Sequence, residues 1–256
     1  MENRSVKLKM KKITELFTEY KIYPGSCYGS NSPVRVFRKF YPDNHYGKEL
    51  EVFLSCQDYL PTQRGADLPW WGKDYFSDKK GFRVMVIGQD SLTKDVGSIV
   101  FFAHLIPVVF SEVDYEKYIQ ALHVNKSFAF SSWERIKELF KRWTIDFNYL
   151  YITDGMKVYR DGSWRDRDFD TKKSKDLLEK EIDLCNPDLI VILGASPLSL
   201  LDGSRKYAFT VEDGKVINIR GRQCVVAPFP IGQGHSQSNF GNRLSIATHL
   251  IKSIIH

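Results

Sequence analysis

The sequence predicts an α/β fold: a mainly parallel sheet of four central strands, covered by helices on both faces in three α/β/α layers. Two observations carry this. Four short apolar runs, "RVMVIG" (83–88), "YLYIT" (149–153), "DLIVILG" (188–194) and "CVVAPF" (224–229), are separated by segments of helical periodicity. The runs are continuous rather than alternating, as expected of strands buried on both faces. Ligands of such sheets bind at the carboxyl ends of the strands. The residues to interrogate are therefore Gly88-Gln89-Asp90, Thr153-Asp154-Gly155, Gly194-Ala195-Ser196 and Pro228-Phe229-Pro230.

The first eighty residues form a flank to this pattern, and residues 81–256 form the α/β domain. "VKLKMKKITELFTEYK" places Leu8, Ile13, Leu16, Phe17 and Tyr20 roughly on one helical face. "YPGSCYGSNSPVRVFRKFYPDNHYG" and "DLPWWGKDYF" follow, loop-rich and aromatic, with Arg35, Arg38 and Lys39 interleaved. Such a mixture can stack bases and hold phosphates, or its rings can simply pack on the main domain. After the first strand, "SSWERIKELFKRW" sets Trp133, Ile136, Leu139, Phe140 and Trp143 at helical spacing, with Ser131 and Glu134 placed as a capping box. "TKKSKDLLEKEIDLC" is a helix stopped by Asn186-Pro187. "TVEDGKVINI" reads as a hairpin turning at Asp213-Gly214, and "GNRLSIATHLIKSII" as an amphipathic closing helix.

Composition bounds the function. The chain has 256 residues and 43% hydrophobic content, ordinary for a globular protein. No apolar run approaches bilayer-spanning length, and the basic start "MENRSVKLKMKK" lacks an apolar signal core, so the expected location is the cytoplasm and no membrane partner is expected. Cys27, Cys56, Cys185 and Cys224 are scattered and read as reduced, packed thiols. The net charge of +6 fits a polyanionic partner, DNA first, and equally a merely soluble basic surface.

Several chemistries lack their motifs. There is no GxxxxGK[ST] loop, no GxGxxG after the first strand, and "GASPL" lacks the second glycine of a GxSxG elbow. His45, His104, His123, His235, His249 and His256 form no close ligand pair, so neither a metal nor another cofactor is expected.

The four strand ends together resemble the uracil-DNA glycosylase superfamily. Its archetypal members end the first strand in GQDPYH, and "VIGQDSLT" keeps the GQD. Other members carry "YITNxxKxRP", which "YITDGMKVYR" matches except that Asp154 replaces the Asn. "NPDLIVILGA" is similar to the family's "PDVIVALGA", and "APFP" (227–230) fills the slot of "HPSP". The order agrees, with gaps of 64 and 73 residues between Asp90, Asp154 and Ala227, and the resemblance spans roughly residues 82–255.

The resemblance implies a uracil-DNA glycosylase-like fold and hydrolysis of an N-glycosidic bond after the nucleotide is flipped from the stack, leaving an abasic site. It casts Asp90 as the catalytic carboxylate beside C1′, stabilising positive charge on the sugar and orienting water; an Asp that only caps the next turn is the alternative. Gln89, Leu92, Phe101 and Asp154 would line the base pocket, with Phe101 (or its neighbour Phe102) stacking on the base. Ser196, Pro228, Gly232, Gly234, Ser236 and Arg243 would face the DNA, with Arg243 meeting a phosphate. A bland surface loop is the other reading of "GQGHSQSNFG".

Three departures refine the expectation. An Asn amide matches uracil's donor and acceptor edge, whereas an ionised Asp only accepts. Asp154 therefore suits an amino-bearing, cytosine-type base, unless a second acid nearby keeps it protonated and Asn-like. Ala227 replaces the His that stabilises the departing base, a role His235 on the following loop could assume. Ser91-Leu92 replaces Pro-Tyr, leaving room for a 5-substituent. Together these point to a modified, 5-substituted cytosine in phage DNA, glucosylated hydroxymethylcytosine among the candidates, and to anti-phage defence by a monomeric enzyme. The alternatives are a repair glycosylase for uracil or another deaminated base, a catalytically degenerate DNA-binding module, and a nucleotide-processing enzyme on an unrelated sheet.

Overall fold

A computed structural model of the chain describes residue 12 and residues 69–72, 74–89, 135–156, 171–230 and 238–256. The two Trp residues of the flank form a short strand β1 (Trp70–Trp71). The first apolar run is β2 (Val84–Gly88). A helix α1 covers residues 135–142, and a 3-10 turn at Phe147–Tyr149 leads into β3 (Leu150–Asp154). Then follow α2 (Thr171–Cys185), β4 (Leu189–Leu193), α3 (Ala195–Leu201) and α4 (Tyr207–Glu212). The chain closes with β5 (Ile217–Ile219), β6 (Arg222–Ala227) and α5 (Phe240–Ile255).

The strands form one sheet in the order β1-β3-β2-β4-β6-β5. The central four are parallel, in register from Val84↔Leu150 to Gly88↔Asp154 and from Leu189↔Gln223 to Leu193↔Ala227. Every residue of β2, β3 and β4 is buried. Both faces of these strands are thus covered, which is why the sequence shows unbroken apolar runs there instead of alternation. The strand order reverses between β2 and β4, the position at which open α/β sheets form a crevice.

α2 packs through Ser174, Leu177, Leu178, Glu181, Ile182 and Cys185, all buried and spaced by three or four residues. Asn186 ends it at φ 48°, donating its N–H to the Ile182 carbonyl at 2.9 Å, and Pro187 bars continuation. Asp188 then ties the start of β4 to β2: its carboxylate accepts from the Arg83 N–H at 2.7 Å. Thr144 (φ 58°) turns the chain just after α1, and Trp143 before it donates its indole N–H to Thr248 of α5 at 2.9 Å. The end of the flank is built into the core. Trp71, Tyr75 and Phe76 are buried around Tyr151 of β3, with ring centroids 6.1, 5.4 and 6.3 Å from its ring. Arg83 fixes this segment by donating to the carbonyls of Tyr75 (2.7 Å) and Ser77 (2.9 Å). Among the described residues no helix is long and apolar enough to cross a membrane.

The structure corrects the sequence expectation in three places. Among the described residues the sheet has six strands, not four, because short antiparallel strands flank the parallel four: β1 against β3 and β5 against β6. The hairpin turns at Arg220-Gly221, not at Asp213-Gly214. Positive φ at both Arg220 (52°) and Gly221 (75°) gives the twist a two-residue hairpin needs. Thr210, Val211 and Glu212 are helical, and Asp213 caps that helix. Third, β3 runs one residue further than expected and includes Asp154 itself. The helical pattern over residues 6–21 lies outside the described residues except at Lys12, which is helical, and the capping box at Ser131 and Glu134 lies outside them.

Candidate functional site

The carboxyl ends of the four parallel strands meet at one edge of the sheet, and main-chain bonds lock them together. Gly155 N–H donates to the Gly88 carbonyl and Met156 N–H to the Gln89 carbonyl, both at 2.9 Å. The β2–β3 ladder therefore continues past both strands. On the other side of the crevice, Gly194 N–H donates to the Ala227 carbonyl at 2.9 Å. Gly194 makes the sharp exit from β4 at φ 89°, a conformation costly for other residues, and α3 begins at the next residue. The first turn of α3 leans over the end of β3: a Cβ on Gly155 would lie 3.3 Å from the Pro197 Cβ and 3.4 Å from the Gly88 carbonyl oxygen. Four segments distant in sequence are thus joined at one edge of the sheet, where open α/β sheets form their ligand crevice.

Asp154 is the one ionisable side chain these segments contribute between Gly88–Gln89, Asp154–Met156, Gly194–Ser196 and Ala227–Pro230. It is 0% exposed. Side chains alternate along a strand. Tyr151 and Thr153 point to the α2 face, where both hydroxyls donate to one carboxylate oxygen of Glu181, at 2.8 and 2.9 Å. Asp154 therefore projects to the opposite face. Its register partner on β2 is Gly88, so β2 places no side chain beside it. A buried acid in that position can recognise a polar edge of a ligand by accepting hydrogen bonds, and any ligand reaching it must leave bulk water.

Glu181 is a second buried acid at this end of the sheet, and sequence reasoning passed it over. Its signal was present: Ser174 and Glu181 fall in phase with the apolar positions of α2. Burial, with Cys185 and Glu181 close by, pushes the Tyr151 hydroxyl well above the usual tyrosine range. Tyr151 therefore stays protonated and donates to Glu181. The pair fixes the last turns of β3 from behind and so sets where Asp154 emerges.

The other expected site residues divide into three groups. Gln89 is half-buried at the mouth of the crevice, directly after β2. Ser196 and Pro228 sit at the ends of β4 and β6 and are buried. Arg243 stands apart from its expected role at a phosphate: its guanidinium holds Glu212 (2.9 and 2.7 Å), lies 5.4 Å from the centre of the Tyr207 ring, and its side chain is only 11% exposed. Asp90, Leu92, Phe101, Gly232, Gly234, His235 and Ser236 lie outside the described residues. At the end of β6, Ala227 is fully buried and offers no proton donor. Among the described residues no group of three His, Cys, Asp or Glu side chains could hold a metal. No protein-family model matches the chain, and no curated protein matches it.

Proposed function

We propose that the protein is a monofunctional DNA glycosylase of three-layer, uracil-DNA glycosylase-like architecture, acting on a modified cytosine in phage DNA and leaving an abasic site. The observation that carries the reading is the convergence of Gly88-Gln89, Asp154 and the Gly194 and Ala227 strand ends at one edge of the sheet. In this reading Asp90 stabilises the oxocarbenium-like sugar and orients water, and Asp154 accepts from the exocyclic amine of the base. The fully buried position of Asp154 supports its use as a base reader, since a carboxylate at a wet surface discriminates poorly between partners. His235 or main-chain N–H groups take the place of the absent imidazole at Ala227. Phe101 stacks on the extruded base. Leu92 leaves room for the 5-substituent.

A second reading rests on Ala227: a DNA-binding module on the same fold that leaves every base in place. A base-release assay separates the two. DNAs carrying uracil, hypoxanthine, 5-hydroxymethylcytosine or its glucosylated form are incubated with the protein and with Asp90→Asn, and abasic sites are read by alkali cleavage and mass spectrometry. Release from a modified cytosine, lost in the variant, is the expected result. Release from uracil alone would make it a repair enzyme. DNA binding with no release from any substrate would favour the module.

A further inference from the structure

Beside Pro230, three residues beyond the end of β6, α1 and the start of α5 enclose an open groove with a volume of about 600 Å³. Its floor is apolar, made by Leu139, Pro230, Phe240 and Leu244. Its rim is charged. Glu138 and Lys141 neutralise each other in an ion pair at 3.0 Å. That leaves Arg135 and Arg142, both exposed, neither with an acid partner among the described residues. They are seven residues apart on α1, so they share a face and stand about 10.5 Å apart along the helix axis.

We propose that this groove takes the phosphodiester backbone of the DNA duplex, with Arg135 and Arg142 as phosphate-binding residues. Three observations favour this occupant. Counting Glu138 against Lys141, the described lining of the groove keeps a net charge of two from Arg135 and Arg142, the complement of a polyanion. The two residues stand about 10.5 Å apart along one face of α1, close enough for their long side chains to reach phosphates of the same strand. Pro230, three residues after the end of β6, lines the groove, so the groove adjoins the edge of the sheet at which β6 ends. The apolar floor suits deoxyribose faces, and Arg135 and Arg142 replace Arg243, which Glu212 already occupies. The inference rests on the glycosylase reading for the identity of the polyanion, and the experiment separates the two.

The test is the salt dependence of binding to a fluorescently labelled duplex, followed by anisotropy on the full chain. Arg135→Gln/Arg142→Gln keeps the alkyl stems and the helix propensity. Arg135→Lys/Arg142→Lys keeps the charge. Lys172→Gln/Lys206→Gln removes two exposed charges elsewhere. Loss of two phosphate contacts lowers the slope of log K against log salt by about 1.8, equivalent to roughly sixtyfold weaker binding at 0.1 M salt. The expected result is that change in the glutamine pair, a slope close to wild type in the lysine pair, and a much smaller change in the Lys172/Lys206 control. An unchanged slope in Arg135→Gln/Arg142→Gln, an equal fall in the control, or no salt-dependent DNA binding by the wild type overturns the proposal. Base release from the same preparations is scored separately. Groove-dependent binding without release keeps the groove and removes the glycosylase, while release with unchanged slopes does the reverse.

Discussion

Replacing Glu181 tests how the crevice is held from behind. One carboxylate oxygen of this fully buried residue accepts the hydroxyls of both Tyr151 and Thr153. Glu181→Ala removes the shared acceptor and strands two buried donors. A stranded buried donor costs about 1–3 kcal/mol, so the pair costs about 2–6 kcal/mol, with the lost side-chain volume adding to it. Glu181→Gln keeps a carbonyl oxygen in place and exchanges charged for neutral hydrogen bonds, a cost of about 1–2 kcal/mol. Urea unfolding with an unchanged m-value reads both. In a chain of this size each kcal/mol lowers Tm by about 2–4 °C. Tyr151→Phe and Thr153→Val should be non-additive, because they share one acceptor atom. Amide exchange at Gly155 and Met156, whose N–H groups lock β3 to β2, should quicken in Glu181→Ala if the damage reaches the strand end. A Glu181→Ala protein within 0.5 kcal/mol of wild type, or a Gln variant as damaged as the Ala variant, would refute the reasoning.

Further outcomes follow from other parts of the molecule. Gly72→Ala should be strongly destabilising, since its Cβ would lie 1.9 Å from the Phe147 carbonyl oxygen; thermal unfolding at wild-type Tm would show that the flank is not docked as described. Stability should fall as pH rises above about 9. Burial pushes the Cys224 thiol up to about 12 and holds Tyr75 and Tyr151 well above the usual tyrosine range, so the folded state keeps protons that the unfolded chain releases. Between pH 9 and 10 Cys224 alone should contribute a slope of about 1.4 kcal/mol per pH unit, which Cys224→Ala should remove in denaturant titrations. Asp154→Asn should shift base release from modified cytosine toward uracil; an unchanged substrate ratio would deny Asp154 its part in reading the base.

The legible parts of the sequence are those where one physical rule acts alone. β2 (Val-Met-Val-Ile-Gly) and β4 (Leu, Ile and Val throughout) contain no polar side chain because both their faces are covered. α2 has three-to-four-residue periodicity and a Pro stop, and its bounds come out as expected. Where two rules compete, sequence misleads. Asp-Gly ends helices as readily as it turns hairpins. The β-branched residues of "FTVEDG" favoured the hairpin, whereas burial of Val211 to 2% exposure settles the segment as helix. Arg220-Gly221 carries the turn instead, with an Arg at positive φ that composition does not announce. β1 is too short for any periodicity, and only its pairing with Tyr151 and Ile152 defines it. At the candidate site, the position of Asp154 at a strand end was visible, but its complete burial was not, since burial depends on segments distant in sequence, and the acid behind the strand was signalled only by its phase with the apolar positions of α2. Arg243 looked like a phosphate ligand because its partner Glu212 is 31 residues away in sequence.

The two outer strands of the sheet are two and three residues long. A parallel core left with a long bare rim would offer a template for any extended chain, including another copy caught part-way through folding. Here each rim is closed by a strand running the opposite way and too brief to offer more than one or two free amide and carbonyl groups. Along these edges, as the described residues form them, strand addition finds few free partners, and the residues that limit it are the same few that complete the sheet.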